Sequence, residues 1–220
     1  MNYGQDVTVV EAFQKLARSI DIEFPERLAT LMGIAHTLPA TAALSSLEDF
    51  LWLDAEEAER EINEWLNPND QQGRTFLPFA TTGGGEPYCV VRLENGASGI
   101  ARIVHFAQPS SLAHADISSF VAREYVRIAT NLSWLSPQAD FSAALISEVT
   151  LIQAALLPSD YELLKDLFSR QCVDKSYKAG PKSIPKIVKA FISQEEEEAL
   201  AARLHHPDAI EFEALRAWMR

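Results

Sequence analysis

Residues 75–106, TFLPFATTGGGEPYCVVRLENGASGIARIVHF, narrow the possible folds more than any other stretch of this chain. From Pro87 to Leu93 the side chains alternate, with Cys89, Val91 and Leu93 toward one side and Tyr88, Val90 and Arg92 toward the other. That period of two is the pattern of a strand. Asn95-Gly96 follows, a turn pair suited to positive φ. Ile100 to Phe106 then returns, with Ile100, Arg102 and Val104 opposed to Ala101, Ile103 and His105. An antiparallel hairpin is predicted. Phe76 to Ala80 precedes it as a short apolar strand, and Pro78, which has no N–H to donate, places that strand at an edge or a strand end.

The rest of the chain reads as helix. Thr8 and Glu11 form a capping-box pattern ahead of Val9, Phe13, Leu16, Ala17 and Ile20 on one face. Pro25 opens a second helix ending near Leu31 or His36, with Pro39 beyond it. Leu47 to Leu53 is read as a first or edge strand. Asp54 with Glu57 caps a helix whose buried stripe is Ala55, Ala58, Ile62, Trp65 and Leu66. Ser111 to Ala115 is read as a turn, and Asp116 caps a helix carrying Ile117, Phe120, Val121, Tyr125, Ile128 and Leu132. Ser136-Pro137 reads as a boundary. Four or five further helices are expected after it: Phe141 to Leu157, one capped by Ser159 and Glu162, a short one over Ile184 to Ile192, one capped by Ser193 and Glu196, and a last one opened by Pro207 with Ile210, Phe212, Leu215 and Trp218. The fold class is therefore α+β, a small mainly antiparallel sheet flanked by helices, with a helical C-terminal extension. Residues 1–134 form the α+β domain in this reading, and residues 135–220 the extension or a small domain.

Three features invite a chemical reading. The triplet Gly83, Gly84, Gly85 leads to Glu86-Pro87 and a strand, with no Lys-Ser/Thr and no following helix, so it is a sheet turn and not a phosphate cradle. Cys89 and His105 lie on strands expected to pair, but a reactive thiolate needs exposure, and Cys89 shares the apolar side of its strand. His36, His105, His114, His205 and His206 are scattered, and adjacent residues such as His205 and His206 do not share a helix face. No catalytic residue, cofactor or metal site is expected, and the protein is read as a non-enzymatic one. Cys89 and Cys172 match neither a metal pattern nor a disulfide framework, and both are read as reduced thiols in a cytoplasmic protein.

The charge is unevenly placed. Of a net −12, residues 1–73 carry 14 acids and 4 bases, net −10, and residues 74–220 carry 17 acids and 15 bases, net −2. An acidic surface disfavours nucleic acid and anionic membranes and steers basic protein partners. No apolar run approaches the roughly 20 residues of a membrane span. Against the acidic trend, five of the seven lysines fall between Lys175 and Lys189. They are read as a solvated loop and helix face pairing with Glu195 to Glu198.

The order of these elements carries a resemblance. An apolar strand ending in Phe79-Ala80 is followed by a polar pair, the glycine cluster and Glu86. A strand opened by Tyr88, a glycine turn and a second strand ending near His105 then follow. Upstream stand a helix, Ile22, Phe24-Pro25 and a second helix, then Leu47 to Leu66 with Trp52 and Trp65. Together these resemble the SUKH superfamily over about residues 5–134, with Ile117 to Leu132 as the closing helix. The family more often has an acidic residue where Thr81 and Thr82 stand, and residues 134–220 lie outside its pattern. The resemblance implies a protein-binding module. In its most concrete form this is an immunity protein that neutralises a cognate toxin by occluding it; the alternative is a regulatory or scaffolding protein of the same fold. The expected partner is a protein, such as a basic toxin domain, with Glu56, Glu57, Glu61, Glu64 and Glu86 as the contact residues.

Overall fold

The computed structural model describes residues 6–37, 43–104, 109–135, 140–206 and 210–214. Helices α1 (Asp6–Ser19) and α2 (Glu26–Thr37) lead, followed by β1 (Leu51–Trp52) and α3 (Ala55–Glu64). A sheet then forms from β2 (Thr75–Thr81), β3 (Pro87–Arg92) and β4 (Ser98–Arg102), with β1 at its other edge, in the antiparallel order β1-β2-β3-β4. After β5 (Ser110–Leu112) come α4 (Ile117–Ile128), α5 (Phe141–Leu151), a 3₁₀ turn (Gln153–Ala155) and α6 (Pro158–Ser169). The chain continues through β6 (Val173–Tyr177), β7 (Lys186–Ala190), α7 (Gln194–Leu204) and β8 (Ile210–Phe212). This is an α+β fold of small antiparallel sheets and helices.

The alternation in the hairpin divides the interior in two. Tyr88, Val90 and Ile100 enter the larger core with Leu77 and Phe79 of β2 and with apolar residues of α1, α2 and α4 to α6. Cys89, Val91, Leu93, Ala101 and Ile103 enter a smaller core on the opposite face, closed by Trp65, Leu66, Leu112 and Phe212. The pairs Cys89↔Ala101 and Val90↔Ile100 fix that division, because a one-residue slip would exchange the two faces. The Asn95-Gly96 turn is as read: Gly96 has φ +85, and its N–H donates to the Leu93 carbonyl at 2.9 Å.

Several local readings are corrected. β2 is an inner strand, not an edge. Pro78 is tolerated because β1 is two residues long and pairs only with Ala80 and Thr81, and because the β2–β3 register shifts between Pro78 and Ala80. The return strand starts and ends earlier than read, at Ser98 and Arg102. Ser110–Leu112, overlapping the turn predicted over Ser111 to Ala115, is a strand, and His114 bridges to Ile100. α6 is not capped by Ser159 and Glu162. Its N-cap is Leu157, with no side-chain cap, and Pro158 takes the first turn, where its missing N–H costs nothing.

The largest correction lies in the C-terminal third. Residues 186–190 form a strand paired with 173–177, not a helix, and residues 210–212 pair with β5 where a last helix was read. Past residue 140 the described residues hold three α-helices and one 3₁₀ turn instead of four or five helices. The larger core is continuous from Phe13 and Leu28 through Val121 and Tyr125 to Leu145, Leu167 and Phe191, so residues on both sides of residue 134 share it. Buried Glu148 of α5 ties it further, accepting from the Ser46 amide at 3.1 Å and the Ser46 hydroxyl at 2.5 Å. α1 begins at Asp6, so Thr8 lies inside the helix and does not open it as an N-cap. The readings at Pro39, His105, Phe106, Ser136-Pro137, Pro207, Leu215 and Trp218 lie outside the described residues.

Candidate functional site

Helix α3 is a firmly mounted acidic surface. Asp54 Oδ1 accepts from the Glu57 amide at 2.8 Å, and the Asp54 amide donates to Glu57 Oε2 at 2.9 Å. This reciprocal cap satisfies two otherwise orphan donors at the helix start. Ala58 and Ile62 are buried in the larger core, and Trp65 and Leu66, just past the helix, in the smaller one. The helix therefore straddles the sheet end and turns its remaining residues outward.

The five acidic residues singled out by sequence have different fates. Glu56 and Glu64 are exposed, and no ion pair among the described residues engages them. Glu57 serves the cap. Glu61 accepts from the Trp65 indole N–H at 2.6 Å. Glu86 stands apart from the helix and pairs with Arg102 at 3.3 Å. Glu59, which was not singled out, is exposed and free of ion pairs among the described residues, so it joins Glu56 and Glu64. The burial stripe of the helix, already readable as Ala58, Ile62 and Trp65, was the signal for choosing among these carboxylates.

The glycine loop is a closed turn. The Gly83 amide donates to Asp49 Oδ1 at 2.5 Å, the Glu86 amide to Thr82 Oγ1 at 3.0 Å, and the Thr82 amide to the Glu86 carbonyl at 3.0 Å. These amides are turned inward to protein oxygens and offer no cradle to a phosphate. Thr82 thus closes the turn with its hydroxyl and its amide.

A second feature escaped sequence reasoning altogether. Between β4, β5 and α4 lies a cleft of about 450 Å³ lined by Tyr88, Arg102, His114, Arg123, Arg127 and His205 among others. Its guanidiniums are matched: Arg102 with Glu86 at 3.3 Å, Arg123 with Glu197 at 2.8 Å, and Arg127 with Glu124 at 2.9 Å and Glu48 at 3.2 Å. These residues come from five stretches of sequence, so no spacing announced them. Burial pushes the Tyr88 phenol above its usual range, helped by the charge of Glu124.

His114 is the electrostatic centre of this cleft. Burial, then the neighbouring His205 and Arg123, hold its pKa down to about 4. The folded protein therefore keeps His114 neutral at pH values where the unfolded chain has taken a proton. Stability from this site is complete above the ordinary histidine value of about 6.5 and is lost as pH falls from there toward 4, a change of up to about 3 kcal/mol. Denaturant unfolding of the wild type and His114→Gln across pH 7 to 4 checks this. The wild type is expected to lose stability more steeply over that window, and equal slopes would refute the assignment.

Cys89 is fully buried, and burial raises its thiol well above the usual range, in keeping with a structural side chain. Among the described residues no group of three His, Cys, Asp or Glu side chains is arranged to hold a metal ion. No described helix is long and apolar enough to cross a membrane. Compared with family models, curated proteins and solved structures, the chain gives no match.

Proposed function

We propose that this chain is a protein-binding module of SUKH type. Its most specific form is an immunity protein that neutralises a basic toxin domain by stoichiometric occlusion. The observation that carries the reading is the outward face of α3, where Glu56, Glu59 and Glu64 stand exposed with no ion pair among the described residues, on a helix fixed by its cap and apolar stripe. Carboxylates left unneutralised on a rigid element attract a basic surface over a Debye length of about 8 Å and speed the encounter. The net −10 of residues 1–73 extends that field. Many toxins of this kind act on nucleic acid and present basic active-site surfaces, which is the complementarity such a helix would meet. Glu86, bound to Arg102, is reassigned to holding the β3–β4 edge.

Reversal of the helix charge tests the reading. Glu56→Lys/Glu59→Lys/Glu64→Lys is expected to leave the fold intact and to slow association with the cognate toxin about 10- to 100-fold, with a smaller change in dissociation. Stopped-flow or surface binding kinetics would record it. An unchanged association rate would remove α3 from the interface. The second reading, a scaffolding protein of the same fold with no toxin partner, predicts that toxins encoded beside this chain neither bind it nor are neutralised by it.

A further inference from the structure

Residues 181–187 of the β6–β7 hairpin are exposed to solvent as read, but the hairpin is a pair of strands and not a helix face. Residues 173–190 carry five lysines and one aspartate, net +4, on a chain whose remaining residues sum to −16. At the base of the hairpin the charges are matched, Lys189 with Asp174 at 2.9 Å and Lys175 with Glu196 at 4.0 Å. Toward the loop, Lys178, Lys182 and Lys186 have no ion pair among the described residues. The base is tied to the body, with the Leu132 amide donating to the Lys189 carbonyl at 2.9 Å and the Gln194 side chain bonded to both backbone groups of Lys178.

Lysines alone would be ordinary protection of a free strand edge. Isoleucines are not. Ile184 is 83% exposed and Ile187 72%, the two most exposed large apolar side chains of the described residues. Beside them a groove of about 500 Å³ is lined by Trp134, Tyr177, Ile184 and Val188. An apolar patch rimmed by unpaired charge of one sign is the composition of an interface awaiting a partner of the opposite sign.

Such a partner surface exists on this same chain. β1 is the outer strand of the main sheet, and its Leu51 is 55% exposed. It runs directly into α3, which adds the carboxylates Glu56, Glu59 and Glu64, in no ion pair among the described residues. One surface offers isoleucines with three lysines and the other a leucine with three glutamates, none of the six in an ion pair among the described residues.

We propose that the β6–β7 hairpin docks a second copy of this chain at that copy's β1–α3 edge. Made twice about a two-fold axis, the contact gives an isologous dimer; repeated head to tail, it gives a ring or an open filament. Because it covers carboxylates assigned above to the toxin partner, self-association and partner binding compete. The inference itself does not depend on that partner and is tested on the isolated chain.

The test is the mass of the full chain by light scattering and sedimentation from about 1 to 100 µM, the range in which modest interfaces are populated. The mass is expected to rise above the 24.4 kDa monomer. Ile184→Ser/Ile187→Ser, Lys182→Glu/Lys186→Glu and Glu56→Lys/Glu59→Lys are each expected to weaken association at least about tenfold while leaving the circular dichroism unchanged. Combining the two charge reversals in one chain restores opposite signs across the contact and is expected to recover association. A chain that stays monomeric to about 100 µM overturns the proposal. So does association that survives any one of the three variants, or a doubly reversed chain that fails to recover.

Discussion

Phe120→Ala is expected to destabilise the protein by about 3–5 kcal/mol, the range for removing a large aromatic side chain from a packed core. Phe120 projects from α4 and is 2% exposed. Its ring meets Tyr88 at 5.3 Å, His114 at 5.6 Å, Phe79 at 6.0 Å and Phe50 at 6.3 Å between centroids. Those four partners come from β3, the segment after β5, β2 and the approach to β1, so the ring joins the two inner strands of the sheet and both flanking segments to the helical layer. Removing it leaves a cavity that no single element can close. For a chain of this length the thermal midpoint falls by about 10 °C. Phe120→Leu keeps most of the volume and is expected to lose much less. Chemical unfolding of both variants against the wild type measures the difference, and a Phe120→Ala loss below about 1 kcal/mol would show that α4 does not seal the sheet as described.

Gly99→Ala is the second large effect, and it arises from close approach. A Cβ built at Gly99 would sit 2.3 Å from the His114 carbonyl oxygen and 3.3 Å from its carbon. That carbonyl accepts from the Ile100 amide at 2.8 Å, and the His114 amide donates to the Ile100 carbonyl at 3.2 Å. A methyl group there must push the two segments apart and break this bridge. The expected cost is about 2–4 kcal/mol, from overpacking and lost backbone bonds together. Gly96→Ala supplies the contrast. Gly96 has open space around it but φ +85, so its cost is the left-handed penalty alone, about 1 kcal/mol. Hydrogen exchange at the Ile100 and His114 amides separates the two cases. Protection is expected to collapse in Gly99→Ala and to persist in Gly96→Ala, and the reverse order would contradict the bridge.

These two sites mark what could be read from the sequence. The β3–β4 hairpin and its two faces were legible because alternation over Pro87 to Leu93 and a strong turn pair agree with each other. The caps at Asp54 and Ser193 were legible because their partner stands three residues on, and the cap at Asp116 because an acid precedes an apolar helical face. The approach of Gly99 to His114 was not, since nothing local records a neighbour 15 positions away.

The strands of the C-terminal third failed for a different reason. KIVKA is a short run whose apolar residues fit either a helix turn or a strand. Its pairing with VDKSY is decided by tertiary contact, with Phe191 donating to the Ala129 carbonyl and Leu132 to that of Lys189. Residues 210–212 were assigned to a helix on apolar spacing that continues into residues 215–218, whereas Phe212 is spent closing the smaller core beside Phe76 at 5.9 Å between ring centroids. The lysine run, read as a solvated helix face, is a paired ribbon with exposed isoleucines.

For the candidate site, composition located the acidic third and the helical wheel located α3. Which carboxylates are free could not be read, because Glu57, Glu61 and Glu86 are engaged by the Asp54 amide, the Trp65 indole and the Arg102 guanidinium. The arginine cleft is assembled only by the fold.

The central claim is that this chain is a protein-binding module acting through the acidic face of α3. Its most direct test is isothermal titration of the purified chain against purified, inactivated domains of any toxins found to be encoded beside it, run in parallel with Glu56→Lys/Glu59→Lys/Glu64→Lys. The account predicts a saturating 1:1 complex with the wild type and an affinity at least about tenfold weaker for the reversed helix. No heat of binding to any neighbouring toxin, or equal affinity for the wild-type and reversed chains, would contradict it.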